Sequence, residues 1–406
     1  MTFRAFRVEK TDSGFQYGIV DREESELPDG EVLIDVRYSS LNYKDALSAT
    51  GNPGVTRRFP HTPGIDAAGV VLESTSAEFP VGREVLVMGY DLGMNTSGGY
   101  GQRIRVPADW VVAMPAGLTP ETSMHLGTAG FTAALAVEKL LALGTRPESG
   151  PIVVTGASGG VGCVAVKLLA RLGFEVTAVT GKAAQHDWLR GLGASAFLTR
   201  EQALEGADKP LLKETWGGAV DTVGGQPLGN IVKSLKHSAS VAVCGLAAGA
   251  DFPITVLPFI LRHVNVLGVD SVELPIDQKR ALWNRLGGEW RMDLYFGTWC
   301  TRCERYMGRI IAVADTQLST MRRKNPSATR VELKFYGLPT VGGEDGGFYN
   351  DPEVKRHRIG ELPAGLLYRG NELVGRITGG NWERPAQALA ALMASAPATP
   401  TRTSIR

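Results

Sequence analysis

Cysteine is scarce in this chain of 406 residues: there are four, Cys163, Cys244, Cys300 and Cys303. That is too few for a disulfide framework and fits a reducing compartment, so a cytoplasmic location is expected. An excess of either charge is also lacking, because 43 Lys and Arg face 42 Asp and Glu for a formal charge of +1. No field therefore attracts nucleic acid or anionic lipid, and neither is an expected partner. No apolar run approaches the ~18 residues of a membrane span, and "MTFRAFRVEK" has no apolar core of the signal-peptide kind, so no membrane association is expected. Residues 1–150 hold no cysteine and only two histidines, His61 and His125. A catalytic zinc centre built from Cys and His ligands lacks its donors there, and no metal is expected. Internal repeats are absent.

What is present is an ordinary globular composition, 43% hydrophobic and 21% charged, in a chain longer than one core usually serves. Three domains are expected. The first ~120 residues carry short alternating runs, "VLIDVRYSS", "GVVLES", "REVLVMG" and "GQRIRVP", punctuated by Gly, Pro and Asp, which read as a β-rich domain. At Thr119 the pattern changes. Thr119 is a plausible N-cap, Pro120 suits the first helical position, and "ETSMHLGTAGFTAALAVEKLLALG" repeats apolar residues at helical spacing. Beyond it, strand-like runs ("PIVVT", "EVTAVT", "GGAVDTV", "SVAVCG", "VNVLGVD") alternate with helix-like ones. That alternation predicts an α/β fold with a doubly wound parallel sheet.

"VTGASGGVG" places Gly156, Gly159, Gly160 and Gly162 between a buried strand and a helix, where bare backbone can approach a pyrophosphate at the helix N-terminus. A Gly-rich turn alone also makes ordinary tight turns, but the flanking strand, helix and continuing βαβ pattern favour a dinucleotide site. The next strand ends "AVTGK". No Asp or Glu stands there to take a ribose 2′-OH; Thr180, Gly181 and Lys182 offer a hydroxyl, an amide and a cation to a 2′-phosphate, so NADPH is favoured over NADH. Lys182 as a plain solvated lysine is the competing reading. Arg200, after "ASAFLT", is a second candidate for that phosphate or else a surface charge. In "LNYKD", Asn42 can donate an amide hydrogen and Tyr43 a phenolic one to an oxygen that gains charge. Asp45 orients a neighbour or caps a short helix, and Tyr43 acts at the site or packs as an aromatic; both pairs of readings stay open.

After Trp290 the alternation restarts: "MDLYFG", then "GTWCTRC", a helical run, "RVELKFYG" and a hairpin, "AGLLYRGNELVGRIT". A cysteine pair between a strand and a helix suggests a thiol-disulfide motif, with Cys300 as the attacking and Cys303 as the resolving thiol. Half of a zinc site is the alternative, but the segment has no second Cys or His pair. Pro363 stands directly before the hairpin, the place where thioredoxin-like folds, which this segment resembles, hold a cis proline beside the cysteines; Pro339 is a second candidate for that role. The segment from Met292 to about residue 394 resembles a thioredoxin-like domain, although Thr301 and Arg302 replace that family's Gly-Pro and "TVGGEDGGFYNDPEVKRHRIGE" is a long insertion. A thiol-disulfide partner protein would follow. The tail "ASAPATPTRTSIR" is expected to be disordered.

The motifs "SSLNYKDAL", "PGIDAAGVV", "GTAGFTA", "VTGASGGVG", "LPFILRHVNVLGVDSV" and "ALWNRLGGEW", in that order, resemble the acrylyl-CoA reductase branch of the zinc-free medium-chain dehydrogenase/reductases, which also includes quinone oxidoreductases. The resemblance spans residues 1 to about 290. It implies a GroES-like catalytic domain (1–122), a Rossmann NADPH-binding domain (123–290), then the thioredoxin-like domain (291–395) and the tail (396–406). It further implies NADPH-dependent reduction of the carbon-carbon double bond of a small acyl-CoA, with a quinone as the alternative acceptor. A thiol-disulfide protein carrying an inactive reductase scaffold is a third reading, since the family's return segment after Trp290 is replaced here. Cofactor contacts implied by the resemblance are Tyr43, Ser158, Gly159, Gly160, Val161, Thr180, Gly181, Lys182, Arg200, Leu246, Ile260 and Ser271. It also suggests a homodimer through the sheet edge near "VNVLGVDSV".

Overall fold

In the computed structural model, residues 1–287 are described in full, together with the backbone of four later strands. The chain divides into two units, one of residues 1–114 and 119–282, the other of 115–118 and 283–406.

The first unit opens with a hairpin, β1 (Thr2–Thr11) and β2 (Gly14–Glu23). An antiparallel sheet follows, made of β3 (Val32–Tyr38), β4 (Asp66–Ser74), β5 (Glu84–Met88), β6 (Arg103–Val106) and β7 (Val111–Ala113) in the order β6-β3-β4-β5-β7. Its alternating Val and Ile side chains build one apolar core: Val32, Ile34, Val71, Val85, Val87, Ile104 and Val106 are buried around Phe79. A buried aliphatic side chain of this size contributes roughly 1.5–3 kcal/mol, so the alternation fixes which face turns inward. Between β3 and β4 lies the short helix α1 (Tyr43–Ala49).

Helix α2 (Pro120–Ala142) begins as expected, with Thr119 accepting from the backbone N–H of Thr122 and Pro120 in the first turn. It is broken at Gly127, whose φ of 52° and ψ of −158° are not helical. The parallel sheet then follows. It comprises β8 (Ile152–Val154), β9 (Val176–Val179), β10 (Ala194–Leu198), β11 (Gly218–Asp221), β12 (Ser240–Val243) and β13 (Asn265–Gly268), with α3 (Gly160–Arg171), α4 (His186–Leu192), α5 (Gly225–Ser234) and α6 (Leu257–Arg262) between strands. The order β10-β9-β8-β11-β12-β13 reverses direction at β8, and such a switch point opens a crevice at the strands' carboxyl ends. Helix α7 (Ile276–Leu286) carries the chain from the first unit into the second.

In the second unit, β14 (Trp290–Phe296) pairs in parallel with β15 (Val331–Gly337) and antiparallel with β16 (Ala364–Arg369), which forms a hairpin with β17 (Glu372–Thr378). The sheet order is β15-β14-β16-β17. Cys300, Cys303 and Pro363 lie outside the described residues.

Candidate active site

The crevice is lined first by the turn after β8. Thr155 donates its hydroxyl to the buried carboxylate of Asp221 at 2.7 Å and accepts from the backbone N–H of Thr222 at 2.9 Å, which ties β8 to β11 at the switch point. A Cβ added at Gly162 would lie 2.3 Å from the Gly156 carbonyl, so turn and helix pack too closely for any side chain. Helix α3 starts at Gly160 with Gly159 as its N-cap and no side-chain cap. Its first N–H groups are therefore open to a ligand, and with the positive end of the helix they suit a pyrophosphate.

At the end of β9 the Thr180 hydroxyl lies 3.2 Å from that of Ser158 and accepts from the backbone N–H of Lys182 at 3.1 Å. A Cβ placed on Gly181 would lie 2.9 Å from Nε of Arg200, so that guanidinium lies across the same turn. Ser158, Thr180, Gly181, Lys182 and Arg200 are thus brought together. Lys182 and Arg200 are exposed, as a phosphate contact requires. On the other side of the switch point, Leu246 (69% exposed) and residues 268–270 line a cavity of about 600 Å³. Ile260 is also exposed at 69%, on α6, whereas Ser271 is buried. Cys244 lines the same cavity, and burial together with the Asp221 carboxylate pushes its thiol up to about 12. It is no candidate nucleophile.

The second half of the site is built around Asp66, the first residue of β4, which is fully buried. The break at Gly127 leaves the N–H groups beyond it without helical acceptors. Asp66 takes one of them, the backbone N–H of Thr128, at 2.9 Å, and also the Thr128 hydroxyl at 2.6 Å. A Cβ at Gly127 would lie 2.5 Å from the Ser40 hydroxyl oxygen and 2.8 Å from Oδ2 of Asp66, so only glycine allows this approach. Ser40 donates to the same Oδ2, and Nδ2 of Asn42 donates to it at 2.9 Å while also lying 3.2 Å from the Ser40 oxygen. Those two acceptors are hydrogen-bonded to each other, so they subtend at Nδ2 much less than the angle between two amide hydrogens. One hydrogen serves both, and the second is left for a ligand.

Asp45 faces inward. It accepts from the backbone N–H groups of Asn42 (2.8 Å) and Ile65 (2.9 Å) and from the Tyr100 hydroxyl (2.9 Å). Burial raises its pKa, opposed by these donors. Burial and the carboxylates of Asp45 and Asp66 hold the Tyr100 phenol well above its ordinary value. Tyr43 points outward at 81% exposure. His61 is buried, with Nε2 2.9 Å from the Gly93 carbonyl, and His125 is exposed on α2. Sequence reasoning misses Asp66 and Thr128 as site residues: Asp66 is a single acidic residue in "PGID" with no periodic signal, and "LGTAG" gives no sign that its first glycine breaks a helix.

Two family models match the chain, "Alcohol dehydrogenase GroES-like domain" over residues 28–116 and "Zinc-binding dehydrogenase" over 160–286. The chain is 47% identical to the protein named "Probable acrylyl-CoA reductase AcuI" of Escherichia coli over 283 residues, which is 70% of this chain and 87% of that one. It is 42% identical over 291 residues to "Putative quinone oxidoreductase YhfP" of Bacillus subtilis, covering 72% and 88% of the two. The crystal structure of E. coli K-12 YhdH with bound NADPH is similar at a TM-score of 0.67 and 44% identity, over 72% of this chain and 92% of that one.

Proposed function

The chain belongs to the medium-chain dehydrogenase/reductase family, and on that premise we propose that its first unit uses NADPH to reduce the carbon-carbon double bond of a small α,β-unsaturated acyl-CoA. The observation that carries this reading is the Asn42 amide, anchored on Asp66 with one hydrogen unspent. Bound NADPH supplies a hydride. Hydride addition at the β-carbon moves charge onto the thioester oxygen, and a preoriented N–H there stabilises it. The solvent-facing phenol of Tyr43 offers a proton for the α-carbon. The turn from Gly156 to Gly162, Val161 included, would hold the pyrophosphate. Ser158, Thr180, Gly181, Lys182 and Arg200 would hold the 2′-phosphate, and Leu246, Ile260 and Ser271 would flank the nicotinamide half. The similarity to the NADPH-bound YhdH structure and to AcuI supports this assignment.

The likeness to YhfP favours a quinone as the second reading of the acceptor, because the fold alone does not choose between them. Steady-state NADPH oxidation with acrylyl-CoA and with a soluble benzoquinone tests the choice. A kcat/KM at least tenfold higher for the thioester is expected, and the reverse ratio overturns it.

For the second unit a thiol-disulfide role is our reading, supported by strand register. Tyr295 pairs with Ala364, so the end of β14 and the start of β16, the two central strands, lie at the same end of the sheet. In the sequence Cys300 follows the first by a few residues and Pro363 directly precedes the second. A parallel pair extended by an antiparallel hairpin suits a thioredoxin-like fold. Insulin-disulfide reduction by dithiothreitol, catalysed by the full chain and lost when Cys300 and Cys303 are both replaced by Ser, is the expected result. Activity unchanged in that variant refutes it.

A further inference from the structure

Lys279, on α7, is fully buried. Its ammonium donates to the Val272 carbonyl at 2.8 Å and to the Met88 carbonyl at 3.1 Å, and it lies 3.3 Å from the centroid of the Tyr90 ring. An ammonium has three donors, and two carbonyls and one aromatic face take all of them. None of these contacts is a carboxylate. Burying a charge without a paired acid is costly, and a methionine of similar length would fill the same space without that penalty. Packing therefore does not call for a lysine here, whereas two buried carbonyls do.

Those carbonyls belong to different parts of the site. Met88 ends β5 and pairs with Asp66 of β4, the residue that anchors Asn42. Val272 lies in the loop after β13, whose residues Asp270, Glu273 and Leu274 line the cavity of about 600 Å³ together with Leu246. Tyr90 joins the same two parts, since its N–H donates to the Val272 carbonyl and its hydroxyl to the Leu274 carbonyl, each at 3.1 Å. The loop is also stiffened from within: Oδ1 of Asp270 accepts from the N–H groups of Val272 (2.8 Å) and Glu273 (3.2 Å). Tyr90 makes its bonds at a φ of 51°, a left-handed conformation that a non-glycine residue keeps only where its surroundings impose it. A Cβ at Gly89 would lie 3.0 Å from both Nζ of Lys279 and the Val272 carbonyl oxygen, so glycine makes room for the ammonium.

We propose that Lys279 is a positioning residue: with Tyr90 it staples the cavity wall after β13 to the strand pair that holds Asp66 and Asn42, and so sets the distance over which the hydride passes. The inference rests on the NADPH reading above. In the sheet order β9, which carries the turn suited to the 2′-phosphate, lies on one side of the switch at β8, and β13 lies on the other. A dinucleotide spanning the switch lays its nicotinamide half on the β13 side, beside the stapled wall. Its phosphates are held elsewhere, by the turn from Gly156 to Gly162 and by residues 180–182. Loss of the staple therefore affects transfer far more than cofactor binding.

The test uses the full chain and two variants, with the NADPH dissociation constant and the number of binding sites from fluorescence titration and kcat with acrylyl-CoA expressed per site, so that unfolded protein does not count. In Lys279→Met, kcat per site should fall about tenfold or more, because a displacement of about 1 Å can cost about 100-fold, while the dissociation constant stays within about twofold. Tyr90→Phe keeps the ring beneath the ammonium and loses only the bond to Leu274. Its kcat per site should fall about threefold, the worth of one neutral hydrogen bond, again with NADPH binding unchanged. If Lys279→Met is too unstable to titrate, Tyr90→Phe decides. NADPH binding weakened in Lys279→Met by as much as kcat falls, or an unchanged kcat per site in Tyr90→Phe, overturns the proposal. A wild type that oxidises NADPH with neither acrylyl-CoA nor benzoquinone overturns the proposed reaction itself, and this inference with it.

Discussion

Removing the Asp66 carboxylate should damage folding and turnover by different routes. It accepts from Ser40, Asn42, the Thr128 N–H and the Thr128 hydroxyl, and it is fully buried. In Asp66→Ala the two hydroxyls can turn to other acceptors and the Asn42 amide keeps the Ser40 oxygen, but the backbone N–H of Thr128 is left without an acceptor. A buried donor left unmade costs about 1–3 kcal/mol, so a loss of that size is expected, a sizeable share of a typical stability of about 5–15 kcal/mol. Asp66→Asn keeps the shape. Its nitrogen can face the Thr128 hydroxyl, which turns to accept, and the other three donors meet a neutral oxygen. Charge-assisted bonds are about twice as strong as neutral ones, so each loses about 1 kcal/mol and the total comes to about 3 kcal/mol. The Asn42 amide, now held weakly, should lower kcat by about 10–100-fold with a smaller change in KM. Urea unfolding of the two variants and steady-state kinetics of Asp66→Asn with NADPH and acrylyl-CoA check this. Asp66→Ala as stable as wild type, or Asp66→Asn with unchanged kcat, would refute the reasoning.

Replacing Lys182 and Arg200 together by Ala should raise the NADPH dissociation constant at least tenfold, since hydrogen bonds to charged groups contribute about 1.5–3 kcal/mol each, and leave NADH binding within twofold; equal loss for both cofactors counts against a 2′-phosphate site. Gly127→Ala puts a Cβ against Ser40 and Asp66 at a backbone angle that disfavours it, and should cost about 1–3 kcal/mol, read by urea unfolding, with kcat lowered as well. Lys279 is fully buried, donates to the Met88 and Val272 carbonyls and sits 3.3 Å from the Tyr90 ring centroid; burial pushes it down to about 8. Its folded pKa lies below the unfolded value of about 10.4, so between the two the unfolded chain binds more protons and stability rises with pH. Urea midpoints should climb from about pH 8 to about pH 10 in the wild type more steeply than in Lys279→Met, and parallel profiles would count against it.

Much of the first unit was legible because one physical rule governs each part. The shared core takes every second side chain of β3, β5 and β6, burial on both faces makes β8, β9, β11 and β12 largely apolar runs, and Thr119-Pro120 marks a helix start that backbone hydrogen bonding enforces. The hairpin of β1 and β2 was not foreseen, since β2 is largely exposed and its composition follows no apolar period. The phosphate turn could be read because its glycines sit between two recognisable elements. The cluster around Asp66 could not, because its members come from three separate stretches and meet only through the break at Gly127. Asp45 illustrates the same limit: spacing places it in the first turn of α1, but its bonds to Ile65 and Tyr100 depend on residues twenty and more positions away.

The proposed reaction is hydride delivery to the β-carbon of an unsaturated thioester by the first unit. The most direct test is to incubate the full chain with acrylyl-CoA and NADPH carrying deuterium at the transferred position, and to locate the label by mass spectrometry. Propionyl-CoA with one deuterium at C3, formed equally by the variant with Cys300 and Cys303 both changed to Ser, is the predicted result. NADPH that binds without yielding labelled propionyl-CoA would contradict it.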